Sequence, residues 1–85
     1  MDPETYETRD LYFAAYLNLK VELIGVRKEK EWSPRKSRHN QVTYFVFRND
    51  SSIPDLKSLY FSGRGEVSAL AYADSVRNLK ALLHV

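Results

Sequence analysis

The spacing of apolar residues changes period several times along the chain. Leu11, Ala14, Ala15 and Leu19 recur at helical intervals, and Tyr12 and Tyr16, four apart, form a neighbouring stripe. This predicts a helix over 9–19, with Thr8 as its cap and Asp10 in the first turn. Val21 to Arg27 then alternates: Glu22, Ile24 and Val26 fall on one face, and Val21, Leu23 and Gly25 on the other. Gly25 marks close packing or a bulge. Gln41 to Arg48 also reads as a strand, with Val42, Tyr44 and Val46 on one face and Thr43, Phe45 and Phe47 on the other. The helical period returns over 54–61, carrying Leu56, Leu59 and Tyr60, and most clearly over 69–83. There Ala69, Tyr72, Ala73, Val76, Leu79 and Leu83 share a face behind a Ser68 cap.

Turn residues separate these segments. Ser33-Pro34 breaks the chain between the strands, Asn49 to Ser52 forms a polar cluster, and Ser62-Gly63-Arg64-Gly65 ends the second helix. The expected order is α-β-β-α-α. This is an α+β fold: an antiparallel hairpin packed against a short N-terminal helix and a C-terminal helical pair. Residues 1–7 read as a flexible acidic lead-in, and 8–85 as one domain with a basic hairpin loop over 27–39. A two-stranded sheet is marginal without packing, and the second strand is apolar on both faces. Either the N-terminal segment wraps over the outer face or another chain covers it. Thr43, Phe45 and Phe47, with Trp32, are the expected protein interface of a homodimer or a larger partner.

Composition changes this picture in one place. Arg27 to His39 holds Arg27, Lys28, Lys30, Arg35, Lys36 and Arg38, six of the 13 Lys and Arg, against Glu29 and Glu31. The island is net +4, while the remaining seven basic and nine acidic residues are net −2. A basic patch on an acidic body points to an anionic partner, DNA or RNA first. Arg27, Lys28, Lys30, Arg35, Lys36 and Arg38 are the expected phosphate contacts, and Trp32 the stacking or anchoring residue. There is no cysteine, so disulfides and thiolate ligands are excluded. No apolar run approaches the ~18 residues of a membrane helix, and the acidic N-terminus does not read as a signal peptide. A cytoplasmic protein without a membrane partner is expected.

Several phrases carry a family likeness: Leu11 to Leu17, Leu23 to Val26, Tyr44 to Phe47, Tyr60-Phe61-Ser62-Gly63, Val67-Ser68-Ala69, Tyr72-Ala73 and Arg77-Asn78-Leu79-Lys80. Over roughly residues 8–84 the chain resembles a small uncharacterised bacterial and phage family, a domain of unknown function. The family pattern is an aromatic pair, a Gly turn and a helix closing on Arg-x-Leu-Lys. The resemblance implies a shared fold and a phage or mobile-element setting. The basic island is where the chain departs from that pattern.

Other chemistry is thinly represented. His39 and His84 are the only histidines and stand far apart, so no metal site is expected. No nucleophilic triad can be assembled, and only Glu29 and Glu31 lie close enough in sequence to suggest paired acids. Catalysis, a cofactor and a small-molecule substrate are therefore not expected. A helix-turn-helix would use Ser68, Tyr72, Ser75 and Arg77, but the Ser62–Val67 link is long for it. Arg64 between two glycines reads as a solvated turn. The expected function is a small non-enzymatic nucleic-acid-binding accessory protein. The alternative is a protein-binding inhibitor, adaptor or structural subunit docking on a larger machine.

Overall fold

One helix lies against a sheet whose central strand is the aromatic one, and two further helices pack on that helix. The computed structural model describes residues 4–83. The elements are β1 (Thr5–Thr8), α1 (Leu11–Asn18), β2 (Leu23–Ser33), β3 (Arg38–Arg48), α2 (Ile53–Phe61) and α3 (Ala69–Leu82). The expected α-β-β-α-α succession is present, preceded by a strand. The sheet is antiparallel throughout and ordered β1-β3-β2.

β1 corrects the reading of residues 1–7 as a loose lead-in. Thr5, Tyr6, Glu7 and Thr8 pair with Arg48, Phe47, Val46 and Phe45. β-branched and aromatic residues favour this extended pairing, and Tyr6 packs against the core. Four residues inside an acidic segment are too few for their alternation to stand out. The rest of that segment, Met1 to Pro3, lies outside the described residues.

The chain leaves β1 through Asp10, which rather than Thr8 caps α1. Its carboxylate accepts from the Tyr12 and Phe13 amides, each at 3.1 Å. Five consecutive residues of α1, Phe13 to Leu17, are buried, because β3, α2 and α3 all pack on this helix. Ala14 and Ala15 let a neighbour approach closely: the Ser75 hydroxyl of α3 donates to the Ala15 carbonyl at 2.8 Å and accepts from Asn18 Nδ2 at 3.3 Å. That polar contact rotates α3 relative to its apolar stripe. Ser75 and Leu79 are buried, whereas Ala69, Ala73 and Leu83 are exposed. The Ser68 cap is as expected, its oxygen accepting from the Ala71 amide.

The basic island is not a loop. β2 and β3 are 11 residues each, and their ladder runs from Leu23↔Phe47 to Ser33↔Arg38. Only residues 34–37 turn, with Ser37 at φ 49°. The sequence of Arg27 to Glu31 is polar on both faces and therefore reads as loop, yet main-chain pairing needs no apolar side chains. A register shift between Leu23 and Gly25 places Ile24 on a bulge, 57% exposed.

Phe45 and Phe47 are a further correction. They are the core, 1% and 0% exposed, packed with Phe13, Tyr16, Leu17, Ile53 and Leu79. α1 covers their face of β3, so they form no outer interface.

Candidate nucleic-acid interface

An 11-residue strand spans about 36 Å at ~3.3 Å per residue, close to the molecule's longest extent of 41 Å. Buried residues of β3 stop at Val42, and none of 28–41 is buried. The distal half of the hairpin therefore projects from the body.

Alternation along this ribbon sorts its charges. Lys28 is opposite Thr43, Lys30 opposite Gln41, and Trp32 opposite His39. These three pairs share the face of Val26 and Phe45, the face that the helices cover nearer the body. Arg27, Glu29, Glu31 and Ser33 point the other way, with Tyr44, Val42, Asn40 and Arg38 opposite them. Both acids of the island thus lie on one face, and the other face carries lysines, Trp32 and uncharged polar residues.

On the acidic face the carboxylates already hold arginines. Arg27 grips Glu7 through two hydrogen bonds of 2.9 and 3.1 Å, reaches Glu29 at 3.0 Å, and stacks on the Tyr44 ring at 4.4 Å. Its hydrogen bond holds the Glu7 carboxyl below the usual carboxylate range. The bonds to Glu7 and then Glu29 push the guanidinium still higher than its ordinary value. Arg9 meets Glu31 at 3.5 Å. Arg27, expected among the phosphate contacts, is instead a clamp at the base of the hairpin.

The remaining cations are distributed along the projecting part. Among the described residues, Lys30, Arg35, Lys36 and Arg38 make no ion pair. Arg35 and Lys36 sit in the turn and Arg38 starts β3, all exposed. Lys28 is nearer the body and half-buried. Trp32 is 56% exposed; His39 meets its ring edge-on at 5.3 Å and 66°, which leaves indole surface free. A groove of about 370 Å³ lined by Arg9, Gln41, Val42, Thr43 and Leu83 adjoins the lysine face where β1 ends. Of the expected protein-interface residues, Trp32 and Thr43 remain at the surface.

A second concavity escaped sequence reasoning. Tyr16, Tyr60, Gly63, Gly65, Val67 and Tyr72 line a crevice of about 210 Å³ between α1, α2 and α3. Most of these residues belong to the phrases that carried the family likeness, but their convergence depends on α2 and α3 both packing on α1. That same arrangement differs from a helix-turn-helix pair, and Tyr72 lines the crevice rather than a reading face. Arg64 is exposed beside Gly63, whose φ is 78°.

Among the described residues, no group of three or more His, Cys, Asp or Glu is placed to hold a metal ion. No described helix is long and apolar enough to cross a membrane. No family model, curated protein or solved structure matches the chain.

Proposed function

We propose that this chain is a small non-enzymatic nucleic-acid-binding accessory protein that holds phosphates along its projecting hairpin. The observation that carries the reading is the segregation of charge: Glu29 and Glu31 face away from Lys30 and Trp32 and are engaged by Arg27 and Arg9. Lys30, Arg35, Lys36 and Arg38 supply the phosphate contacts, and Trp32 stacks on a base. The phage or mobile-element setting enters this proposal from the sequence resemblance alone.

Fluorescence anisotropy with labelled single- and double-stranded DNA and RNA tests it. Four phosphate contacts give a log–log salt slope of about −3 to −4, so affinity falls roughly a hundredfold between 50 and 200 mM salt. The combined variant Lys30→Glu, Arg35→Glu, Lys36→Glu and Arg38→Glu abolishes binding, and Trp32→Ala weakens it by about 1–3 kcal/mol. Absence of binding to every oligonucleotide at 50 mM salt would refute the proposal.

The exposed Trp32 among cations also supports a second reading, an adaptor or inhibitor anchored on an acidic protein surface. Under that reading a partner stays bound in a pull-down after nuclease treatment and is lost with Trp32→Ala.

A further inference from the structure

The crevice between the helices is built almost wholly from aromatic rings and glycine backbone. Tyr16 forms its floor, 2% exposed, and its ring centroid lies 5.4 Å from that of Tyr60. Tyr72 stands on the far side, its hydroxyl donating to the Tyr12 carbonyl at 3.1 Å. Tyr60 hydrogen-bonds with the same hydroxyl, which still leaves the Tyr72 oxygen a lone pair to accept from an amino group. Gly65 closes the floor so tightly that a Cβ there would meet the Tyr16 ring at 2.8 Å. No side chain larger than hydrogen is compatible with this wall as it stands.

Charge selects the kind of ligand. The Lys20 ammonium sits 5.6 Å from the centroid of the Tyr16 ring. Arg64, in the loop that forms one wall, is exposed and makes no ion pair among the described residues. Glu66, between Gly65 and Val67, is exposed, and no carboxylate lines the crevice. A quaternary ammonium, the other common guest of aromatic cages, would meet the Lys20 cation at the floor ring. A ligand that is aromatic at one end and anionic at the other satisfies both features. The volume of about 210 Å³ is below the ~300–1,000 Å³ of drug-sized sites, so it admits one ring system rather than two.

We infer that this crevice binds a single nucleobase bearing a phosphate, with the base edge at the Tyr60 and Tyr72 hydroxyls and the phosphate toward Lys20 and Arg64. The inference does not depend on the hairpin, since no residue of the crevice lies on β2 or β3. The same chemistry is offered by a free mononucleotide and by an unpaired nucleotide in a strand.

The test is a titration of the isotope-labelled full chain, following the amide resonances of Gly63, Gly65 and Val67. Adenosine monophosphate should shift them saturably, adenosine should do so about tenfold or more weakly, and inorganic phosphate alone should not. Lys20→Glu should reduce the nucleotide to the affinity of the nucleoside, and Tyr60→Leu should weaken both. Gly65→Ala should block binding; Lys20→Glu, at an exposed position, keeps the test valid if that variant does not fold. A single-stranded tetranucleotide that moves the same amides with higher affinity than the monophosphate assigns the site to strands, and equal affinity assigns it to free nucleotides. No saturable shift with nucleotide or nucleoside overturns the inference. So does preferential binding of tetramethylammonium, or shifts confined to Lys30, Trp32 and His39. Loss of hairpin binding in Lys30→Glu, Arg35→Glu, Lys36→Glu, Arg38→Glu protein leaves the crevice titration unchanged, so the two proposals fail separately.

Discussion

The Arg27 guanidinium joins two strands that are not neighbours. Glu7 of β1 and Glu29 of β2 both hold it, over the Tyr44 ring of the strand between them. Each contact is exposed, and exposed ion pairs contribute little individually. Here the bidentate geometry and the ring act together, and they fix where β1 sits on β3. Because Glu7 is held below its ordinary carboxylate value in the fold, its contribution is present above that ordinary value and is lost as pH falls. Arg27→Met should therefore melt at a lower temperature than the parent near neutrality. The difference should close in thermal melts run well below the usual carboxylate range. Hairpin binding to nucleic acid should survive this change, which separates the clamp from the phosphate contacts. Tyr72 is shifted in the opposite direction. Burial, then a hydrogen bond with Tyr60, pushes its hydroxyl up to about 12, so it remains a neutral donor at physiological pH.

At the scale of elements, what could be read in sequence depended on how local the cause was. The Ser68 cap, the 69–83 helical period and the Gly25 irregularity are set by residues within a few positions of one another, and all three are present. The face of β3 that is buried is not local. Val42, Tyr44 and Val46 are as apolar as Thr43, Phe45 and Phe47, and only the position of α1 decides between them. The strand character of Arg27 to Ser33 is likewise fixed by its partner, not by its own charged residues. β1 depends on both, since its edge exists only once β3 is placed. The basic patch was legible as composition, but its two faces were not, because alternation has meaning only after the segment is known to be a strand. Phe45→Ala tests the outcome directly. Truncating a fully buried Phe costs about 3–5 kcal/mol, a large share of the ~5–15 kcal/mol available to a small domain. Urea titration should show the midpoint fall steeply or the cooperative transition vanish. An outer-face residue at position 45 would instead leave the monomer's stability nearly unchanged.

For the whole molecule, the long open edge of β2 raises the question of self-association. An unpaired edge invites strand addition from a second copy. Two such edges meeting about a two-fold axis run antiparallel, and the residue at the axis faces its own copy. Arg27, Lys28, Glu29, Lys30 and Glu31 are all charged, so every symmetric register centred on this stretch opposes like charges at its centre. The neighbouring pairs follow the same rule when the centre is Lys30, because Glu29 then faces Glu31 of the other copy. Like charges directly opposite are destabilising, and no opposing acid is available at the axis to relieve them. The alternation of charge that gathers both acids on one face of the hairpin thus also guards its edge. Replacing Lys28, Glu29, Lys30 and Glu31 together by threonine removes the repulsion while favouring the strand. In sedimentation velocity the wild-type chain should remain monomeric as concentration is raised, whereas this variant should shift to dimers or larger species. A variant that stays monomeric would mean that the edge is protected by something other than charge. A wild-type dimer that survives high salt would mean that the chain pairs through another surface.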